Sequence, residues 1–169
     1  MLLQRSLIVT SLGLLASCAV VDSPTAISSG SGIPLGVTIS LSDSDESAND
    51  QRMRAAITSE IQRSGYRIAQ QGEYHLEFGF AKRSAAIGIL LAEQDASKPE
   101  AGSWRSRPVD RDLITLCDSA IYRLMVVVTH EQSGEIRYRG SSDDDHCGEP
   151  DDQKLKALAV VALSDLRLR

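Results

Sequence analysis

Asp143-Asp144-Asp145-His146 places three carboxylates and an imidazole at consecutive positions, a donor set of the kind that holds divalent ions. A calcium loop needs alternating acids, a central glycine and a terminal glutamate, and this run has none of that spacing. A solvated loop before the last helix is the better reading, so no metal ligands are assigned. His75, His130 and His146 fall in three unrelated settings: an alternating strand, a turn, and the position beside a cysteine. The chain has no Gly-x-Ser-x-Gly elbow, no His-Glu-x-x-His and no glycine-rich phosphate loop. No catalytic residue and no cofactor is therefore expected, and a non-catalytic role is preferred over an enzyme. Arg105, Arg107 and Arg111, with Lys82 and Arg83 nearby, are the one basic group worth naming. They offer an anion site for phosphates or for a partner's acidic face, although arginines are common on strand ends and loops. Trp104 beside them is either a lid docked on the sheet or an exposed anchor for a partner. These four residues, 104, 105, 107 and 111, are the candidate partner contacts.

The 169 residues carry 18 basic and 23 acidic side chains. A nucleic-acid binder needs a basic face, and this balance argues against one. Seven aromatics in all, one Trp, four Tyr and two Phe, make a stacking platform for glycans or bases an unpromising reading.

The elements that must position these groups follow from periodicity. Leu35, Val37, Ile39 and Leu41 alternate with small or polar residues and predict a strand. Met53, Ile57 and Ile61, with Ala56 beside them, predict an amphipathic helix over 50–64, stopped by Gly65. Tyr66-Arg67-Ile68 resumes an extended pattern. Tyr74, Leu76, Phe78 and Phe80 predict a strand, and Ile87, Ile89 and Leu91 its hairpin partner across Lys82-Arg83-Ser84. Residues 93–112 read as a mobile or surface loop. The run 119–129 predicts a long strand that turns at 130–134, where Ser133-Gly134 supplies turn chemistry, and returns over 135–141. Leu155, Leu158, Ala159, Ala162 and Leu166 mark the inner face of a last helix whose first turn holds Pro150, with Asp151 and Asp152 at its positive end. Two helices cannot cover both faces of about five strands. The expected fold is therefore an α/β (α+β) two-layer sandwich: a mixed sheet with both helices on one face, the other face bare and suited to docking.

The N-terminus fixes an address. Arg5 precedes an apolar stretch, Leu7 to Ala16, about half the length of a spanning helix, and then comes Leu15-Ala16-Ser17-Cys18. This resembles the lipobox of bacterial lipoprotein precursors. The resemblance implies that residues 1–17 are a signal peptide, that Cys18 becomes the first mature residue, and that it carries lipid. Ala19 follows where, in Gram-negative lipoproteins, Asp favours inner-membrane retention. The implied location is the outer membrane, facing the periplasm, with anchorage to the membrane through Cys18. Loss of Arg5 leaves 17 basic residues against 23 acidic, a mature balance of −6. Residues 18–34, rich in Ser and Gly with Pro24 and Pro34, read as a flexible tether, and 35–169 as one folded domain. The body loosely resembles the small α/β domains of Gram-negative envelope lipoproteins, without assignment to a domain family.

With Cys18 lipidated, Cys117 and Cys147 remain as an even pair in an oxidising compartment. Their midpoint, 132, falls within the turn at 130–134, so the two should meet at the open end of that hairpin as a structural disulfide. The function expected from all this is a non-catalytic adaptor or structural component bound to another envelope protein, with no nucleic-acid partner. The rival is a binding module for lipopolysaccharide or peptidoglycan. A closed apolar pocket between helices and sheet would favour the rival; a flat exposed sheet face or a free edge strand would favour the adaptor.

Overall fold

Alternating apolar residues do build the strands that frame the molecule, but the strands run longer than the alternation. In the computed structural model, residues 24–42, 47–85, 89–91, 103–106 and 119–167 are described. A six-stranded mixed sheet is formed by β1 (Thr25–Gly30), β2 (Thr38–Leu41), β3 (Arg67–Ile68), β4 (Tyr74–Ser84), β7 (Ser119–His130) and β8 (Ile136–Cys147), in the order β1-β8-β7-β4-β2-β3. Helices α1 (Ala48–Arg63) and α2 (Asp152–Ala162) pack against it. A separate two-stranded ribbon pairs β5 (Ile89–Leu91) with β6 (Ser103–Ser106). This is the two-layer α+β sandwich expected, with six strands in the main sheet.

The strand–helix–strand start gives the parallel part: β2 runs parallel to β3 on one side and to β4 on the other. The rest is antiparallel. Ser47 caps α1 by accepting from the Asp50 amide at 3.1 Å, and Gly65, at φ +90°, follows its last turn. Met53, Ile57 and Ile61 are fully buried. Asp151 caps α2 by accepting from the Lys154 amide at 2.9 Å, so Pro150 stands just outside the helix and not in its first turn. Leu155, Leu158, Ala159 and Ala162 meet α1's stripe and the inner residues Leu76, Leu124, Val126 and Val128 of β4 and β7.

Four expectations are corrected. Residues 25–30 are not a tether; they form β1, the sheet edge paired to β8, and Ile33 behind them is fully buried and bridges to Arg167. A ladder is made by backbone groups, so Ser and Gly pair without an apolar pattern. Lys82-Arg83-Ser84 is not a turn. It continues β4 against Tyr122, Ile121 and Ala120, with Lys82 5.6 Å above the Tyr122 ring and 2.6 Å from Glu149. That pairing raises the Lys82 ammonium and lowers the Glu149 carboxyl from their usual values. The segment 89–91 pairs with 103–106 instead of β4. Finally, Asp143–His146 is strand, not loop. Arg123 grips Asp143 through two bonds of 2.6 Å, and Lys154 reaches the buried Asp144 at 3.3 Å. Cross-strand and helix-borne cations thus overcome the low strand preference of aspartate.

Helix α2 is pinned to β8 by side chains that alternate inward. Tyr138 donates to the Ala162 carbonyl at 2.7 Å and Ser142 to the Leu158 carbonyl at 2.8 Å. Burial pushes the Tyr138 phenol up to about 12. An unfolded tyrosine ionises near 10, so between pH 10 and 12 the unfolded chain gives up a proton that the fold keeps, and stability falls as pH rises through that window. Denaturant melts across this range should show that fall, and Tyr138→Phe should make it shallower. A variant slope equal to the parent's would assign the alkaline loss to other groups, among them Tyr66, whose phenol burial also raises.

Candidate functional site

Because both helices lie on one face, the alternate residues of β1, β8, β7 and β4 form a second, open face. The registers set it out in rows. Ile27, Ser141, Met125 and Gly79 make one row; Ser29, Arg139, Val127 and Glu77 the next; Thr25, Asp143, Arg123 and Ala81 a third. Met125 is 52% exposed and Ile27 78%, and small residues flank Met125 on both neighbouring strands. Asp143 and Arg123 neutralise each other within their row, and the bond to Asp143 holds the Arg123 guanidinium above its usual value. Glu77, with its side chain 68% exposed, approaches among the described residues only the His75 imidazole, at 3.9 Å. The face ends at β1, whose outer edge pairs with no strand of the described sheet.

At the far end of the sheet a cleft of about 530 Å³ is lined by Ser40, Gln70, Gln71, Glu73, His75 and Glu131 among others. The parallel register of β2 and β4 brings Ser40 beside His75, its Oγ 3.0 Å from Nδ1. Ser40 is 7% exposed and its hydroxyl also donates to the Tyr74 carbonyl at 3.3 Å. The hydroxyl is thus engaged inside the sheet, and the contact braces β2 against β4. Nothing in the sequence joins residues 40 and 75 until the strand register is known.

Of the sequence-derived candidates, Trp104 and Arg105 lie on β6, within the span read as a loop, while Arg107, Arg111, Cys18 and Cys117 lie outside the described residues. Asp143 and Asp145 point to the open face and Asp144 and His146 to the helices, so the acidic run does not converge on one point. Among the described residues no group of three or more His, Cys, Asp or Glu is arranged to hold a metal ion. Cys147 ends β8 and is disulfide-bonded. It stands opposite Ser119, two residues after Cys117. The hairpin is therefore centred one residue later than the midpoint of the cysteines, and half of that offset comes from the bulge at Val128/Thr129, which adds Arg137 to β8.

No family model matches the chain, and no curated protein is significantly similar to it. Similar solved structures include two of PelC from Paraburkholderia phytofirmans, both dodecamers. One is 12% identical, with a TM-score of 0.52 over 86% of this chain and 99% of that one. The other, a variant, is 13% identical, with a TM-score of 0.51 over 86% and 98%. At this identity the likeness is one of fold: the two-layer α+β domain is shared along nearly the whole of the PelC chain.

Proposed function

We propose that this protein is an outer-membrane-anchored periplasmic lipoprotein that acts as a non-catalytic adaptor or structural component of an envelope complex. The observation that carries the reading is the open sheet face with its free edge strand, set close behind the lipobox. Cys18 stands seven residues before Thr25, a reach of about 25 Å at full extension. A lipid on Cys18 would hold β1 and the adjoining face near the membrane surface, where assembly partners are concentrated. The space between sheet and helices is filled by Ile39, Met53, Ile57, Leu76, Leu124, Leu155 and their neighbours, which favours a docking role over the carriage of an apolar ligand. The fold shared with chains that crystallise as dodecamers supports a part in a multi-subunit structure. In-cell crosslinking followed by affinity purification should return a reproducible protein partner. Recovery of lipopolysaccharide or glycan with no protein would sink the reading in favour of the ligand-binding one.

The same reading takes Cys117 as the partner of Cys147. Closing a loop of about thirty residues restricts the unfolded chain and stabilises by roughly 3–4 kcal/mol. The paired substitution Cys117→Ser/Cys147→Ser should lower stability by that order in denaturant titrations. Dithiothreitol should do the same to the parent and leave the variant unaffected. Two reactive thiols found in oxidised periplasmic protein would contradict the pairing.

A further inference from the structure

We infer that the open sheet face is a self-recognition surface that binds a second copy of this chain about a two-fold axis lying along β7. The inference rests on the structural-component reading and names its partner. The register places Glu77 and Arg139 at the same level on either side of Val127, one on β4 and one on β8. They are two strand spacings apart, roughly 10 Å, and both project from the sheet. Arg139 is exposed and makes no ion pair among the described residues. A single copy therefore carries two opposite charges flanking an apolar centre, with neither satisfied across the strand between them.

A half-turn about β7 resolves this arrangement. It lays β8 of the second copy over β4 of the first, so that Arg139 of each copy faces Glu77 of the other, while Val127 meets Val127. The interface is isologous and closes on itself, as a two-fold contact must. In the adjacent row Met125 also lies on the axis, with Gly79 on one side and Ser141 on the other. Those small neighbours leave room for the two unbranched methionine side chains to lie side by side between sheets about 10 Å apart. The patch is modest, and rim charge pairs contribute little by themselves. Confinement of both copies to one membrane raises their effective concentration and favours the contact without any new interaction.

The charge pattern gives a test with an internal rescue. In membranes from cells making the full chain, Met125→Cys should be joined by a bismaleimide spanning about 10 Å into a species of twice the protein's mass, absent from the parent. Adding Glu77→Arg or Arg139→Glu should each reduce that species at least fivefold by setting like charges face to face. Adding both should restore it to within twofold, which also shows that the variants fold. Three results would overturn the inference: no species of doubled mass, a species whose mass reports a different protein, or yields indifferent to the charge reversals. Fractionation of the same cells reads the anchor separately. A soluble chain with the full reversal pattern would refute the lipid anchor alone, and a membrane-bound chain without the pattern would refute the self-contact alone.

Discussion

Substituting Cys18 by serine is expected to abolish incorporation of fatty acid into the protein. If the same variant is exported behind an ordinary cleavable signal in place of residues 1–17, it should move almost wholly from the membrane to the soluble periplasmic fraction. A serine hydroxyl is not appreciably ionised at neutral pH, so it could not replace the thiolate that accepts the lipid under the proposed reading. One acyl chain gives only reversible membrane binding, whereas two or more give stable anchorage, so loss of the acylated residue removes nearly all of the affinity. No helix among the described residues is long and apolar enough to cross a membrane, and the sequence's net charge of −5 does not attract anionic headgroups. Metabolic labelling with a palmitate analogue, with the mass of the N-terminal peptide, reads the outcome. A Cys18→Ser chain that still takes up label would remove the lipobox from the account.

What the sequence reveals depends on whether side chains or backbone make an element. Helix α1 is legible because Met53, Ile57 and Ile61 repeat at helical spacing and Gly65 marks the stop, and all three are buried as that spacing requires. Strand β4 is legible for the same reason at a period of two, and β7 from its long apolar, β-branched run. Edge strand β1 is not, since its six residues are all exposed and its ladder uses only N–H and C=O groups. The one apolar clue is Ile33, a lone isoleucine among Ser, Gly and Pro, whose amide donates to the Leu166 carbonyl at 2.9 Å. The second half of β8 is hidden because Asp143 and Asp144 read as solvent-seeking until Arg123 and Lys154, twenty and ten residues away, are placed beside them.

The candidate site divides along the same line. The bare face could be inferred from the count of helices against strands, since two helices cover only one side. Its composition could not. That Glu77 and Arg139 flank Val127 depends on two registers at once, and one of them is displaced by the bulge at Val128/Thr129. The open face thus emerges from pairing, while Trp104 and the arginines near it, which stand out by residue type, lie on the smaller ribbon or outside the described residues.

Gly140→Ala should be among the most damaging conservative changes in the described body, lowering stability by about 3 kcal/mol or more. Gly140 is buried on the inner face of β8, where the end of α2 crosses it. A Cβ there would fall well inside contact distance of the Ala162 carbonyl oxygen, and 2.8 Å from Cε1 and the hydroxyl oxygen of Tyr138. The same carbonyl accepts the Tyr138 hydrogen bond at 2.7 Å, so the methyl group cannot be admitted by moving either neighbour alone. The last turn of α2 must lift, taking with it the packing of Ala159, Ala162 and Leu166, or the buried phenol must lose its acceptor. Both neighbours are held by regular structure, which leaves little room for relaxation. For a domain near 150 residues the change corresponds to a fall in Tm of roughly 6–12 °C. Gly79→Ala is the matched control, because its Cβ would meet nothing within 4 Å on the open face. It should be neutral or stabilise by about 0.5–1 kcal/mol, as removal of a strand glycine does. Parallel thermal melts of the two variants decide the point, and equal Tm values for both would refute the close crossing of α2 over Gly140.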